Sequence, residues 1–383
     1  MSKKIQALGF CLFLIVICVW IAYSYSQVDL NLTLSSHSVY QQVQQKLTYL
    51  GYFDRPLSAS IFLTITTLSY FLYLLFLRIV AKQSINLFQV KWLIVLSALL
   101  LLAYPAFSYD IFNYMFDARI VTHYGLNPVY FKALDFPTDP WIRFMHWTHR
   151  YYPYGIGWLV LSVMPSFLGA GKFVLTLLLY KIFIGIFHFG NCILIYLIAK
   201  RINPKKSLLS LSFYALNPLI LIESLISPHN EVVMIFFTLS GIWLFLVQKR
   251  TFGVLSILIG ASVKYLSIIL LPFLYFVQRF ELKKLLTAFV YFWSIALIPL
   301  MWQREPYSWY LIPVVALTSL VSFRKFLPPL VIGISAGLLV RYWPFLLLGD
   351  YGIKTQQYQL FGFIGMFTFF WVVGWWVWAK KTT

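Results

Sequence analysis

Residues 200–250 read KRINPKKSLLSLSFYALNPLILIESLISPHNEVVMIFFTLSGIWLFLVQKR. Two apolar runs, 207–226 and 231–248, are joined by the polar turn Ser227-Pro228-His229-Asn230-Glu231. The basic clusters Lys200/Arg201/Lys205/Lys206 and Lys249/Arg250 close the far ends of both runs. A bilayer core of about 30 Å takes roughly 20 apolar residues per helix, so each run is long enough to cross. Lys and Arg are retained on the cytoplasmic side, which places the turn on the outer face.

The pattern repeats along the chain, with spans expected near 7–26, 57–80, 91–108, 172–199, 285–302, 308–323, 327–345 and 359–379. Of the 383 residues 61% are hydrophobic and 11% charged, and the mean hydropathy is +0.80. A soluble domain does not tolerate that balance. The strand alternation of a β-barrel is absent, so the spans are helices, which satisfy their own backbone in lipid. The expected fold is an all-α polytopic bundle of about 10 to 13 helices in the cell membrane. With no internal repeat or linker, residues 1–383 read as a single domain.

The net charge of +19 sits in short clusters between apolar runs. No basic face interleaved with aromatics is present, so nucleic acid is not a partner. Cys11, Cys18 and Cys192 all lie inside apolar segments and read as small core residues rather than as disulfides or metal ligands. Lys3 and Lys4 before an apolar run read as an uncleaved first helix.

One threading puts Lys3/Lys4, Arg78/Lys82/Lys91, Lys283/Lys284, Arg324/Lys325 and Lys380/Lys381 on the same side as the clusters quoted above. Both termini are then cytoplasmic. Asp29, Asp54, Asp110, Asp117, Asp135, Asp139, Glu305 and Asp350 fall in or beside outer loops, and only Glu281 among loop acids is cytoplasmic. Residues 251–278 are about one helix long yet flanked by basic residues at both ends, Lys249/Arg250 and Arg279/Lys283/Lys284. A broken or re-entrant pair of short helices turning near Lys264 resolves that conflict. Two outer loops remain, 27–56 and the larger 109–157, and loops of the latter length carry function.

Chemistry-bearing residues gather on the outer side. In Ser108-Tyr109-Asp110-Ile111-Phe112-Asn113-Tyr114-Met115-Phe116-Asp117, residues Asp110, Asn113, Tyr114 and Asp117 share one face if the segment is helical. A partly desolvated carboxylate at an interface suits a general base; the competing reading of Asp110 is a helix cap. Glu223 is ionisable within a span, where function is the default expectation. His229 and Asn230 are otherwise ordinary turn residues after Pro228. Lys264 lies between two apolar half-spans and needs an anion, either a lipid phosphate or Glu223. The aromatics of Arg304-Glu305-Pro306-Tyr307-Ser308-Trp309-Tyr310 meet the outer interface. Walker, Rossmann, zinc and Gly-x-Ser-x-Gly patterns are absent.

The order of these motifs resembles the GT-C superfamily of membrane glycosyltransferases, and most closely the bacterial polyprenol-phosphomannose-dependent mannosyltransferases. The likeness spans about residues 90–320. Asp110 to Tyr114, then Gly125-Leu126-Asn127-Pro128, then Asp139-Pro140-Trp141 are similar to the family's first large outer loop. Asn217, Pro218, Glu223, His229, Asn230 and Glu231 follow the pattern Asn-Pro-x-x-x-x-Glu then His-Asn-Asp, with Glu231 in place of Asp. Lys264, Tyr265 and Pro272 resemble a Lys-Tyr element before proline, while Pro153-Tyr154-Gly155-Ile156 departs from the usual Tyr-Gly-Pro.

The resemblance implies an inverting transfer on the outer face, with Asp110 as base and a polyprenyl-phosphate sugar as donor. His229, Asn230, Glu231, Lys264 and Glu223 are then expected at the donor, and Asn113, Tyr114, Arg119, Asn127, Asp139, Tyr154 and Tyr310 at the acceptor or in the loop. The sugar is a hexose, mannose foremost, and the acceptor an extracytoplasmic lipid or glycan. No metal site is expected. A divalent cation, Mg or Mn, would find hard oxygen ligands in Asp110 or Glu231. The rival reading is a secondary transporter or lipid-linked sugar flippase, motivated by Glu223, Lys264 and the broken span.

Overall fold

The computed structural model describes residues 3–275, 284–292, 295, 305–321 and 326–379. These residues form helices and loops, with no strand among them. Among the described residues five stretches are long and apolar enough to cross a membrane: Gln6–Gln27, Arg55–Ala81, Phe173–Ile202, Leu327–Leu348 and Ile353–Val377. The pair Pro204–Ala215 and Pro218–Ile226, bent by 55°, is apolar enough to form either a broken sixth span or a re-entrant loop. Shorter apolar helices, Leu87–Leu102, Ile156–Leu168, Glu231–Leu246, Arg250–Val263 and Ser308–Leu320, pack among them. The chain is a polytopic, all-helical membrane protein.

In chain order the elements that matter are α1 (Lys3–Ser24), α2 (Ser38–Thr48), α3 (Arg55–Ala81), α4 (Leu87–Ser97), α5 (Asp110–Thr122), α6 (Ile156–Leu168), α7 (Phe173–Ile202), α8 (Ser207–Ala215), α9 (Pro218–Leu221), α10 (Glu231–Leu246), α11 (Arg250–Val263) and α12 (Leu270–Tyr275). Helix α7 is the central post and contacts α5, α6, α8 and α10. Its inward stripe, Leu177, Lys181, Ile184, His188, Asn191, Ile195 and Ile198, recurs every three or four residues and is buried. Helix α3 packs on α1 and also against the pair formed by Leu327–Val340 and Ile353–Ala379, where Tyr70 is hydrogen-bonded to Ser335 and rests on Phe370.

Helices α10 and α11 approach closely because glycines face each other across the interface. A Cβ on Gly241 would stand 2.5 Å from Ile257 and 3.0 Å from the Gly253 carbonyl oxygen. Small residues let backbones come together in lipid, where helix association relies on packing. Helix α11 ends at Val263, and Lys264 is its C-cap.

The hairpin that decides the fold is present, with one correction. The run 207–226 is not one straight helix: Pro218 opens α9, and Asn217 Oδ1 accepts from the N–H groups of Leu219 and Ile220 at 3.0 and 3.4 Å. A residue before proline is pushed out of the helical region, and the capping amide completes the break. The chain is interrupted at Lys264, with a short 3-10 turn Tyr265–Ile269 leading into α12. The span near 91–108 ends earlier, at Leu102, and gives way to irregular chain before Asp110.

Cys11 and Cys18 are exposed on the apolar exterior rather than buried in the core, unlike Cys192. Helix α6 follows the 109–157 loop outside the expected spans; with 13 residues it is shorter than a membrane crossing needs, and Pro165 lies inside it. The 27–56 loop carries its own helix, α2. Parts of the expected spans at 251–278, 285–302 and 308–323 lie outside the described residues, as do Arg279, Glu281, Lys283, Arg304, Arg324, Lys325, Lys380 and Lys381.

Candidate active site

Two chain reversals meet on one side of α7. One is the stretch from Ala103 to Tyr109, which delivers Asp110 at the first turn of α5. The other runs from Ile222 through Asn230 and delivers His229 just before α10. The Phe107 N–H donates to Ser227 Oγ at 3.0 Å and ties them together. Below that tie lies Lys181, whose ammonium donates to the carbonyls of Ala103, Leu100 and Ile226, the last two at 3.4 and 3.2 Å. One cation thus satisfies carbonyls released by both helix ends, which lack intrahelical partners.

Asp110 is buried but for the edge of its carboxylate, and Oδ2 lies 3.7 Å from His229 Nε2. The Tyr114 hydroxyl donates to the same oxygen at 3.5 Å. Burial pushes the Asp110 carboxyl above its ordinary range, against the pull of His229 and Lys264. His229 in turn lies with Nδ1 3.0 Å from Glu223 Oε2, and its ring stacks on Trp309 at 4.1 Å. Ser108 Oγ is hydrogen-bonded to His229 Nε2 at 3.1 Å. Glu223 Oε1 accepts from Ser308 Oγ at 2.6 Å and from the Tyr342 hydroxyl at 3.0 Å. The structure therefore brings Asp110, Tyr114, Glu223 and His229 into one network.

Lys264 is paired with Glu231, not with Glu223, and its ammonium lies 5.9 Å from the centre of the Tyr310 ring. Asn230 is fully buried beside this pair in sequence, and its side-chain amide has no hydrogen-bond partner among the described residues.

The 109–157 loop folds back over α5. Arg119 Nε donates to Asp139 Oδ2 at 2.7 Å, and the Tyr124 hydroxyl donates to the same oxygen at 2.7 Å. Burial alone would raise the Asp139 carboxyl, but Arg119, the Trp141 N–H and Tyr124 together hold it below its ordinary range. Arg119 and Asp139 are thus a clasp. Gly125 has φ +66°, a left-handed turn that suits glycine, and Asn127 Oδ1 caps the next turn through the Val129 N–H at 2.9 Å. Arg119, Asn127 and Asp139 shape the loop and stand outside the cavity described next.

That cavity, of about 490 Å³, is lined by Asp110, Asn113, Asp117, Tyr154, Glu231, Lys264 and Tyr310, with Arg150 and Trp147 from the loop. Asn113 Oδ1 has no hydrogen-bond partner among the described residues, and Asp117 is raised to about 8 by burial and by the nearby Asp110. A buried acceptor without a partner is costly unless a ligand supplies one. Among the described residues no group of three or more His, Cys, Asp or Glu side chains is placed to hold a metal ion.

Lys181, Ser108, Ser308, Tyr342 and, in the loop, Trp147 and Arg150 were not singled out from the sequence. Lys181 sits mid-run in α7, and an intramembrane cation is itself a signal that could have found it. Ser108, Ser308 and Tyr342 carry no comparable signal, because hydroxyls at span ends are common and only the fold joins them to His229 and Glu223.

An all-helical membrane protein with a buried carboxylate at the wall of a half-open cavity, a cation beside it and a long loop closing over it has the build of a GT-C membrane glycosyltransferase. The chain belongs to the alpha-(1->6)-mannopyranosyltransferase family, whose N-terminal domain is matched over residues 25–279. It is thus a mannosyltransferase by family. No curated protein and no solved structure matches the chain.

Proposed function

We propose that the protein transfers mannose from a polyprenyl-phosphate donor to an extracytoplasmic lipid or glycan acceptor, forming the α-(1→6) linkage that the family's name carries. The observation that supports this most is Asp110 on the wall of the cavity that also holds Lys264 and Arg150. Asp110 takes the proton of the acceptor hydroxyl while that oxygen attacks the anomeric carbon. The bond to phosphate breaks on the opposite face, so the configuration inverts. The leaving phosphate gains charge and needs cations, which Lys264 and Arg150 supply. Asn113, with its open carbonyl, and Tyr154 and Tyr310, as flat apolar faces, orient the sugar. Glu223 and His229 hold the Asp110 side of the site in register.

The basic clusters support a topology with both termini in the cytoplasm and this cavity on the outer face of the cell membrane. Residues 1–383 then act as one domain.

The test is purified protein in detergent with radiolabelled polyprenyl-phosphate mannose and a short α-mannoside acceptor. Transfer without any gradient is expected. Absence of transfer, with label moving only across sealed vesicles, would replace the enzyme with a transporter. A reporter fused after Asp139 should score extracytoplasmic and one after Lys205 cytoplasmic; the reverse would move the site to the wrong face.

A further inference from the structure

The loop 27–56 carries a groove that shares no lining residue with the cavity holding Asp110. It stands at the same end of the bundle, because the end of α1 is tied to the chain that leads into α5. The Tyr104 N–H donates to Ser24 Oγ at 2.9 Å, and the Tyr25 hydroxyl donates to the Leu102 carbonyl at 2.8 Å. Helix α2 rests on the single turns Tyr25–Gln27 and Tyr49–Phe53 and buries none of its own residues. Against it opens a space of about 500 Å³.

The lining is neutral throughout. Gln41, Gln44, Gln45 and Thr48 recur at steps of three and four, so they share one flank of α2, and Thr33 adds a second hydroxyl. Val39, Val43 and Lys46 take the opposite flank. Gln44 Nε2 donates to the Leu32 carbonyl at 2.9 Å, whereas Gln41 and Gln45 are exposed. One wall is aromatic: the Tyr49 and Phe53 rings stack at 5.9 Å with their planes 17° apart, and the two residues are 63% and 69% exposed. No charged side chain among the described residues lines the groove. The acids closest in sequence are used locally, since Asp29 and Asp54 accept from the N–H groups of Asn31 and Leu57 at 2.8 and 3.3 Å.

We propose that this groove binds a neutral glycan, apart from the cavity where transfer takes place. A pyranose ring has an apolar C–H face and a rim of hydroxyls, and the groove offers a partner to each. Two stacked rings give the C–H face a flat, polarisable surface. A carboxamide both donates and accepts, so it meets a hydroxyl in either sense. An acyl chain would strip three amides and two hydroxyls of water and return no hydrogen bond. A phosphate or an anionic polymer would find no cation to pair with. Mannose as the sugar to try comes from the family. The groove itself does not depend on Asp110 being the base.

The experiment titrates α-(1→6)-mannohexaose into full-length protein in detergent, with no donor present, and follows binding by saturation-transfer NMR. Tyr49→Ala combined with Phe53→Ala should raise Kd by about 10-fold, the factor that an aromatic contact of this kind is worth. Gln41→Ala combined with Gln45→Ala should raise it by about 5-fold. All four side chains are exposed, so melting temperatures should stay at the wild-type value. Absence of binding in wild type overturns the proposal, as does a Kd unchanged in both double variants. Transfer to an α-mannobioside should keep its wild-type rate in both, because none of the four residues lines the transfer cavity, and a loss of that rate overturns a separate site. If no transfer occurs at all, the transferase reading fails while the titration still decides the groove. Phe53→Trp in nanodiscs of brominated phospholipid tests the rival occupant. Quenching that mannohexaose does not relieve gives the groove to the membrane and overturns the proposal; a fluorescence change on adding mannohexaose, with no quenching by the lipid, supports it.

Discussion

The Gly155 N–H donates to the Val263 carbonyl at 3.3 Å, one residue before Lys264. The end of the large outer loop is thereby pinned to the break that carries the cavity's lysine. A Cβ on Gly155 would stand 2.0 Å from the Ser262 carbonyl oxygen and 2.9 Å from that of Val263. Both are backbone atoms and neither can swing away. Gly155→Ala should therefore push Tyr154 and Lys264 apart and lower kcat by about 10²-fold, the order that a displacement of about 1 Å costs in an oriented site. Unchanged kcat would show that the contact does not set the cavity's geometry.

Asp110→Asn should leave expression and melting temperature close to wild type, because the carboxylate is at the cavity wall. The rate should fall about 10²- to 10⁴-fold with loss of the base. Since burial raises the Asp110 carboxyl, kcat/KM of wild type should decline with acid at a higher pH than an ordinary aspartate would give. The base works only when deprotonated, so activity is gained as pH rises through that raised value. A pH profile flat across the carboxylate range would remove Asp110 from the role.

Lys264 and Glu231 offer a double-mutant test. Glu231 is buried and Lys264 partly exposed to the cavity. Lys264→Met strands the carboxylate and should lower the melting temperature, while Lys264→Met with Glu231→Gln should restore most of it, because a lone buried charge costs more than a missing pair. Both forms should bind donor more weakly if the ammonium meets the phosphate. Donor affinity equal to wild type in the double variant would confine Lys264 to a structural pairing.

Much of this was legible in the residues. The apolar runs and basic clusters foretold a helical membrane bundle, and the charge conflict at 251–278 foretold the break at Lys264. The three- and four-residue spacing of Asp110, Asn113, Tyr114 and Asp117 foretold their shared helix. What one sequence could not show is pairing across distance. Lys264 had two carboxylates within reach along the chain, and choosing Glu231 over Glu223 depends on how α10 and α11 pack at Gly241 and Gly253. Likewise the resemblance put Arg119, Asn127 and Asp139 at the acceptor or in the loop without choosing between them, because a polar motif in a loop reads the same whether it grips a sugar or its own chain.

Asp117 gives a stability test. Its carboxyl is raised from 3.8 to about 8 by burial and by Asp110. A carboxyl raised on folding stabilises below its unfolded value and loses that contribution as pH climbs through the folded value. Wild type should therefore lose stability relative to Asp117→Asn from about pH 4 to about pH 8. Melting curves of the pair across that range check it. Parallel curves would mean that Asp117 is solvated in the protein.

Lys181 is the last and most exacting case. Its ammonium, in the buried stripe of α7, joins the reversal that carries Asp110 to the one that carries His229 through three carbonyls. A lysine at the centre of a membrane helix costs roughly 2.5–3.5 kcal/mol on insertion scales, so Lys181→Met relieves that cost while leaving the carbonyls of Ala103 and Ile226 without their donor. Stability alone then moves in a direction set by the balance of the two. Catalysis does not share that ambiguity, because both reversals lose their common anchor. We expect kcat to fall by about 10-fold or more, with donor KM nearly constant and partial recovery in Lys181→Arg, in line with loss of orientation rather than of binding. A Lys181→Met protein with wild-type kcat would show that the tie between Phe107 and Ser227 holds the two reversals without it.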